Sequence, residues 1–276
     1  MIEPLCQRLQ YSFPNHKHLS PVKFPFYFDL GFTKILWHTV FEALGLFIGF
    51  RYFIFLRKKQ KDPIISTNRI WILIGAIFGA LIGSRLIAAL ENPHELFSAK
   101  NTLLYIYSNK TVVGGFTGGL FGVELVKHLI HEKQSSGDLF TYPMILGLIV
   151  GRIGCFSMGI YEETYGYTTT FFSGMNLGDG LLRHPVALYE IAFLCLLWMI
   201  LLSLEKKIIL VNGARFKLFM IGYMGFRFCL DFIKPHHPLI AGLSSIQLTC
   251  LLCLLYYSKT IVHPKRLILE KQTVNA

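Results

Sequence analysis

The chain has 276 residues, of which 53% are apolar and 16% charged, with 24 Phe and 13 Tyr. A soluble domain carries about 25% charged residues, so the composition excludes a disordered chain and speaks against an ordinary soluble enzyme. The net charge of +11 comes from 27 Lys and Arg against 16 Asp and Glu. These bases gather between apolar spans, as at a cytoplasmic membrane edge, rather than interleaving with aromatics, which argues against a nucleic-acid partner.

Residues 1–32 are mixed in character, contain Pro14, Pro21 and Pro25, and lack the basic-then-apolar pattern of a cleavable leader. Apolar spans long enough for a bilayer crossing of roughly 20 residues follow at 34–56, 70–90, 112–131, 139–158, 184–204, 216–234 and 239–258. Between the fourth and fifth lies a polar, glycine-rich loop, 159–183, expected to form a small cap. The expected fold is an all-α polytopic membrane protein of about seven transmembrane helices, a single integral membrane domain over 1–276. Lys and Arg are more abundant in the connections 57–69, 127–138, 205–217 and 259–276 than in the opposite set. This asymmetry predicts an N-terminus outside, a cytoplasmic C-terminus and a periplasmic 159–183 loop. Of the cysteines, Cys6, Cys155, Cys195, Cys229, Cys250 and Cys253, most sit in apolar stretches and read as small hydrophobes. Neither a disulfide framework nor a metal site is expected.

Charge inside the spans is the functional signal. Arg51, Arg85, Arg152 and Arg227 lie there, with Glu42, Glu124, Glu190 and Asp231. A charge at a helix centre costs about 2.5–3.5 kcal/mol even on lenient insertion scales, so such residues face a partner or a cavity. Arg51 is near enough to an edge to snorkel. Arg152 stands in Gly151-Arg152-Ile153-Gly154-Cys155-Phe156, where glycines leave room for a ligand. Tyr223, Arg227 and Asp231 share one helical face, and Arg227–Asp231 reads either as an internal ion pair or as part of a site. Arg85 admits both readings too. His184-Pro185 opens the fifth span, with Tyr189-Glu190 in its first turns. Gly114-Gly115-Phe116-Thr117-Gly118-Gly119 reads as tight helix packing or as a close approach to a lipid head group. Arginine's fork matches phosphate oxygens, and together these groups suggest a lipid-phosphate site opening outward.

At these residues the sequence resembles the prolipoprotein diacylglyceryl transferases, from about residue 35 to 258. Gly151-Arg152-Ile153-Gly154-Cys155-Phe156 with Glu163-Thr164-Tyr165-Gly166 is similar to the family's Gly-Arg-x-Gly-Asn-Phe-x-Asn-Gly-Glu-x-x-Gly. His184-Pro185-Val186-Ala187-Leu188-Tyr189-Glu190 resembles its His-Pro-x-Gln-Leu-Tyr-Glu. Tyr223, Arg227-Phe228 and Asp231-Phe232 resemble its Tyr-x-x-x-Arg-Phe-x-x-Glu-Phe, and Gly118-Gly119-Leu120-Phe121-Gly122 its His-Gly-Gly-Leu-Ile-Gly. The chain departs at Cys155 for Asn, Thr117 for His, Ala187 for Gln and Asp231 for Glu. Glu42 stands where the family's first-span tyrosine is expected, and an insertion after Gly159 is needed to align Glu163.

The resemblance implies transfer of a diacylglyceryl group from phosphatidylglycerol to the lipobox cysteine of a prolipoprotein in the bacterial inner membrane, with no cofactor or metal. It implies catalytic roles for Arg152, Arg227, His184 and Glu163. Arg85, Gly118, Gly119, Gly154, Gly166, Tyr189, Glu190, Tyr223 and Asp231 would contact substrate. Arg152 and Arg227 would hold the phosphate, Asp231 would orient Arg227 and Tyr223 would add a hydrogen bond. His184 is the preferred base, with Glu163 and Glu190 as alternatives, and Cys155 reads as packing or as a covalent nucleophile. The competing readings are a related lipid transferase with another acceptor, a lipid or anion transporter, and a non-catalytic scaffold.

Overall fold

A computed structural model describes residues 23–60 and 62–269. The segment 1–22 with Cys6, Arg8 and Lys17, which includes most of the stretch read as lacking a leader, lies outside the described residues, as do Lys61 and 270–276. The chain opens with an antiparallel hairpin, β1 (Tyr27–Asp29) and β2 (Lys34–Leu36), paired Phe28 to Ile35. Pairing with β1 draws residues 34–36 out of the first expected span, and the helix begins at Trp37.

Helices then run in order: α1 (Trp37–Lys59), α2 (Ser66–Ala89), α3 (Pro93–Ser98), α4 (Thr102–Ser108), α5 (Val112–Leu129) and α6 (Asp138–Met158). After a short 3-10 turn, Gly159–Tyr161, comes the hairpin β3 (Met175–Asn176) and β4 (Leu182–Arg183). The chain continues with α7 (Val186–Lys207), α8 (Ala214–Leu230), α9 (Ser245–Tyr256) and α10 (Ser258–Val262). Each of the seven expected spans coincides with a helix. Four of these, α1, α2, α6 and α7, are long and apolar enough to cross a membrane. By contrast α8 has 17 residues and α9 only 12. The seventh span was expected from 239, but residues 239–243 turn tightly through Ala241 and Gly242, both at positive φ. Its helix starts behind a capping box in which Ser244 and Gln247 satisfy each other's backbone N–H. The connection 91–111 is not a plain loop: Asn92 and Asn101 cap α3 and α4, accepting from the N–H groups of Glu95 and Leu104.

Two glycine faces set the packing. In α2, Gly75, Gly79 and Gly83 recur every fourth residue, and in α5 so do Gly114, Gly118 and Gly122, so each set lies on one stripe. The stripes meet backbone to backbone. A Cβ at Gly79 would sit 2.3 Å from the Gly118 carbonyl oxygen, and one at Gly122 would sit 2.2 Å from that of Gly75. α1 and α6 meet similarly, a Cβ on Gly45 lying 2.6 Å from the Gly147 oxygen. Such close approach is how small residues hold helices together where lipid removes the hydrophobic drive. Phe53 stacks on Phe140 at 4.3 Å, while Phe116, Phe219 and Tyr223 form an aromatic knot between α5 and α8. Outward, Phe47, Phe78, Phe121 and Leu252 are each more than half exposed, an apolar belt that suits a lipid rather than an aqueous environment.

At the basic ends of α1 and α2, Asp62 accepts from both Arg57 and Arg69, and Arg69 also donates to the Ser136 carbonyl (2.9 Å). Asp138 caps α8, accepting from the N–H groups of Gly213 (2.6 Å) and Phe216 (3.0 Å). These contacts fix α6 relative to α8 and thereby aim the opposite ends of both helices.

Candidate active site

The polar residues of the spans converge on Glu190. It sits one turn into α7 and is 1% exposed. Arg152 from α6 brings Nε to 2.9 Å of Oε1, and Arg227 from α8 donates from Nη1 to Oε2 at 3.2 Å. The Tyr223 hydroxyl donates to Oε1 at 2.7 Å. Three helices thus place two guanidinium groups and one phenol on a single carboxylate. The contacting trio of charges sums to one positive charge. Arg227 Nε is buried and has no hydrogen-bond partner among the described residues. Buried donors are nearly always satisfied, so this one stands out beside the Glu190 centre.

Sequence reasoning placed Arg152, Arg227, Glu190 and Tyr223 together, and so does the structure. It differs on Asp231. The expected i, i+4 pairing with Arg227 is replaced by Glu190, because α8 ends at Leu230 and Asp231 begins a 3-10 turn off the Arg227 stripe. Asp231 instead accepts from the Ser244 hydroxyl (2.5 Å), tying α8 to the capped start of α9. Tyr223 gives its only proton to Glu190, so it positions that carboxylate rather than reaching outward.

His184 Nδ1 lies 3.0 Å from the Tyr189 hydroxyl, which in turn is 2.6 Å from Ser173 Oγ. This chain links the start of α7 to the β3–β4 cap. Gly166 serves the same strap: a Cβ there would meet the His184 Cβ at 2.6 Å and the Ile233 carbonyl oxygen at 2.9 Å. Its close approach is therefore to protein. Gly154 likewise faces α1, 3.1 Å from the His38 backbone by the same measure, whereas a Cβ on Gly151 would meet open space. Gly118 meets the α2 backbone at Gly79 and Gly83 and Gly119 packs loosely on Ala76 and Ala80, so the glycine-rich start of α5 is a helix-packing face. Thr117 bonds its own helix, donating to the Val113 carbonyl (2.9 Å). Arg85 is bound away from Glu190, its Nη1 donating to the Tyr107 carbonyl oxygen and its guanidinium 4.4 Å from the Tyr107 ring.

Glu163 is exposed, and its neighbour Glu162 points inward. Glu162 Oε2 lies 3.0 Å from His38 Nδ1, and Cys155 Sγ lies 3.9 Å from Glu162 Oε1. Arg152 Nη1 also donates toward Cys155 Sγ at 3.4 Å. His38 and Glu162 did not stand out in the sequence. The available signal was a histidine at the second position of an apolar helix, with Glu42 one turn on. Glu42, read as a stand-in for a tyrosine, pairs with Lys110 and lies 3.7 Å from His38 Nε2.

A helical chain with an exposed apolar belt around a buried, net-positive arginine–carboxylate centre has the make-up of an integral membrane protein. The chain belongs to the prolipoprotein diacylglyceryl transferase family, whose model matches residues 25–262. It is 29% identical over 223 residues to a phosphatidylglycerol–prolipoprotein diacylglyceryl transferase of Rickettsia felis, covering 76% of this chain and 83% of that one. A protein of the same description from Wolbachia pipientis subsp. Culex pipiens is 31% identical over 238 residues, covering 78% and 82%. One from Campylobacter hominis is 28% identical over 237 residues, covering 79% and 80%.

Proposed function

We propose that the chain transfers the diacylglyceryl group of phosphatidylglycerol to the lipobox cysteine of exported prolipoproteins, from the bacterial inner membrane. In this reading seven segments cross the bilayer, the last made by α9 together with α10, with the 159–183 cap in the periplasm and the Arg57–Asp62–Arg69 cluster at the cytoplasmic face. The observation that carries the proposal is the pair of guanidinium groups sharing one carboxylate, with Arg227 Nε lacking a hydrogen-bond partner among the described residues.

The acceptor thiolate attacks the glyceryl carbon that bears the phosphate. A carbon–sulfur bond forms, the carbon–oxygen bond breaks, and glycerol phosphate departs with the bonding pair. Charge grows on the leaving phosphate, so cations fixed beside it stabilise the transition state more than the ground state. Arg152 and Arg227 supply them, and Glu190 and Tyr223 hold both forks in register. With α8 and α9 pinned through Asp231 and Ser244, Arg227 approaches the phosphate from a set direction. His184, held by Tyr189, closes the site on the cap side and serves as a proton carrier, with Glu163 at the rim.

The test is transfer from phosphatidylglycerol to a lipobox peptide by the purified chain in micelles, read as released glycerol phosphate. Release that requires the peptide cysteine and is lost in Arg152→Ala is the expected result. Thiol-independent release, or full transfer by folded Arg152→Ala, would overturn the assignment.

A further inference from the structure

We propose that His38, Cys155 and Glu162 form a zinc site that binds the acceptor cysteine as its fourth ligand and presents it as a thiolate. This rests on the transferase reading above and adds how the thiol is activated. The three side chains come from the first turn of α1, the last turn of α6 and the segment just after the 3-10 turn, so His38 is remote in sequence from the neighbouring Cys155 and Glu162. Their donor atoms nevertheless all lie within 4.8 Å of one another. His38 Nδ1 and Glu162 Oε2 face each other at 3.0 Å, an ion pair when the imidazole is protonated, and both atoms are buried with no aligned hydrogen bond among the described residues. Two buried donors facing one point, with a buried sulfur beside them, form a set of three possible metal ligands.

The donor set selects the ion. Nitrogen, thiolate and carboxylate together suit zinc, which takes tetrahedral sites at about 2.0–2.3 Å per ligand, so neighbouring donors sit about 3.3–3.8 Å apart. His38 Nδ1–Glu162 Oε2 at 3.0 Å and Cys155 Sγ–Glu162 Oε1 at 3.9 Å lie on either side of that range, and all three donors lie within 4.8 Å. Three protein ligands leave the fourth position open, the pattern of a catalytic rather than a structural zinc. The second shell fits too. Glu42 lies 3.7 Å from His38 Nε2, on the far side of the ring, where a carboxylate commonly orients a ligating imidazole.

Charge and position agree with the role. Zinc with one thiolate and one carboxylate is neutral, so Arg152 can stay 3.4 Å from Cys155 Sγ and donate to it. Adding the acceptor thiolate makes the unit anionic, and Arg152 then balances it. Arg152 also contacts Glu190, so one guanidinium spans the metal cluster and the phosphate centre, which places nucleophile and leaving group on adjoining sites. On binding, the thiol gives its proton to water. Its sulfur pair forms the bond to carbon, and the departing phosphate monoester recovers a proton from water. No oxidant or reductant is involved.

The experiment uses the full chain in micelles, stripped with chelator and titrated with Zn²⁺ and with Co²⁺. About one equivalent should bind per chain, with a thiolate-to-cobalt absorption that Cys155→Ser abolishes. Glu42→Gln should weaken binding by ~10-fold. A lipobox cysteine peptide should change the cobalt spectrum where its serine counterpart does not. The metal-free melting curves of the wild type and Cys155→Ser should coincide, which excludes misfolding as the cause. Failure to bind either ion, or equal binding by Cys155→Ser, overturns the site. If the stripped chain transfers diacylglyceryl at full rate, the metal role fails while the transferase reading stands. If metal binds and responds to the peptide but phosphatidylglycerol releases nothing, the donor reading fails and the thiol site stands.

Discussion

At the residue scale the centre is an arginine pair balanced on Glu190. Removing one partner from a buried ion pair costs about 3–5 kcal/mol, because the other charge is left uncompensated. In Glu190→Gln two guanidinium groups would face each other with no anion between them. The expected outcome is a melting temperature well below the wild type, and transfer reduced at least ~100-fold, the scale of losing one oriented transition-state donor. Added phosphatidylglycerol should restore part of the melting loss by supplying an anion. A variant that melts and turns over like the wild type would remove Glu190 from the hub. Arg227→Lys is a sharper probe. Lysine keeps the charge and loses the planar fork, so it cannot serve Glu190 and an incoming phosphate together. Its turnover should fall by about 10-fold or more while KM for the lipid moves less, and an unchanged turnover would show that point charge alone suffices. Much of this hub was legible in the sequence, since ionised residues inside apolar spans are rare and single out Arg152, Arg227 and Glu190. Their pairing was not. Asp231 at i+4 looked the nearer partner to Arg227, and only the end of α8 at Leu230 reveals that it faces Ser244.

At the element scale the same limit recurs. Apolar spans located the helices α1, α2 and α5 to α9, of which four are long and apolar enough to cross a membrane, but they cannot report which faces touch. The Gly75–Gly79–Gly83 stripe acquires meaning only against Gly114–Gly118–Gly122, and the glycine run opening α5 read equally as packing or as a lipid contact. The backbone approach decides it. A methyl at Gly118 would lie 2.2 Å from the Gly79 carbonyl oxygen and 2.8 Å from the Gly83 Cα, both backbone atoms that no rotamer can move. At Gly119 the nearest atoms are 3.5 and 3.6 Å away, an ordinary contact. Gly118→Ala should therefore lower the melting temperature in micelles strongly, and Gly119→Ala should leave it unchanged. Equal melting of the two variants would mean that α2 and α5 are not packed through this stripe. The cap gives the parallel case at Gly166, where an added methyl would push on His184 Cβ and the Ile233 oxygen and so displace the His184–Tyr189–Ser173 strap.

At the scale of the whole molecule, two charge clusters sit at opposite ends of the helices, and they have different tasks. The Glu190 end keeps a surplus of positive charge, while the other end is tied by Asp62 between Arg57 and Arg69. Burial alone would push the Asp62 carboxyl up. Hydrogen bonds from Arg69 and the Ile64 N–H, with the nearby guanidinium charges, outweigh burial and hold it below its ordinary value. A carboxyl whose folded pKa is depressed contributes stability that is present above its unfolded pKa and lost as pH falls through the folded value. The contribution is therefore whole at neutral pH and fades only in strong acid, below about pH 4. Asp62→Asn removes it. The variant should melt below the wild type at pH 7, where Arg69, itself 1% exposed, loses its charged partner and keeps the Ser136 carbonyl as an acceptor. The gap should narrow as both proteins are titrated into acid, because the wild-type carboxyl becomes neutral too. A gap independent of pH would mean that Asp62 acts through its hydrogen-bond geometry rather than its charge. Transfer by Asp62→Asn, measured where the variant is folded, should stay near the wild-type rate, since the clamp lies at the opposite ends of the helices from Glu190.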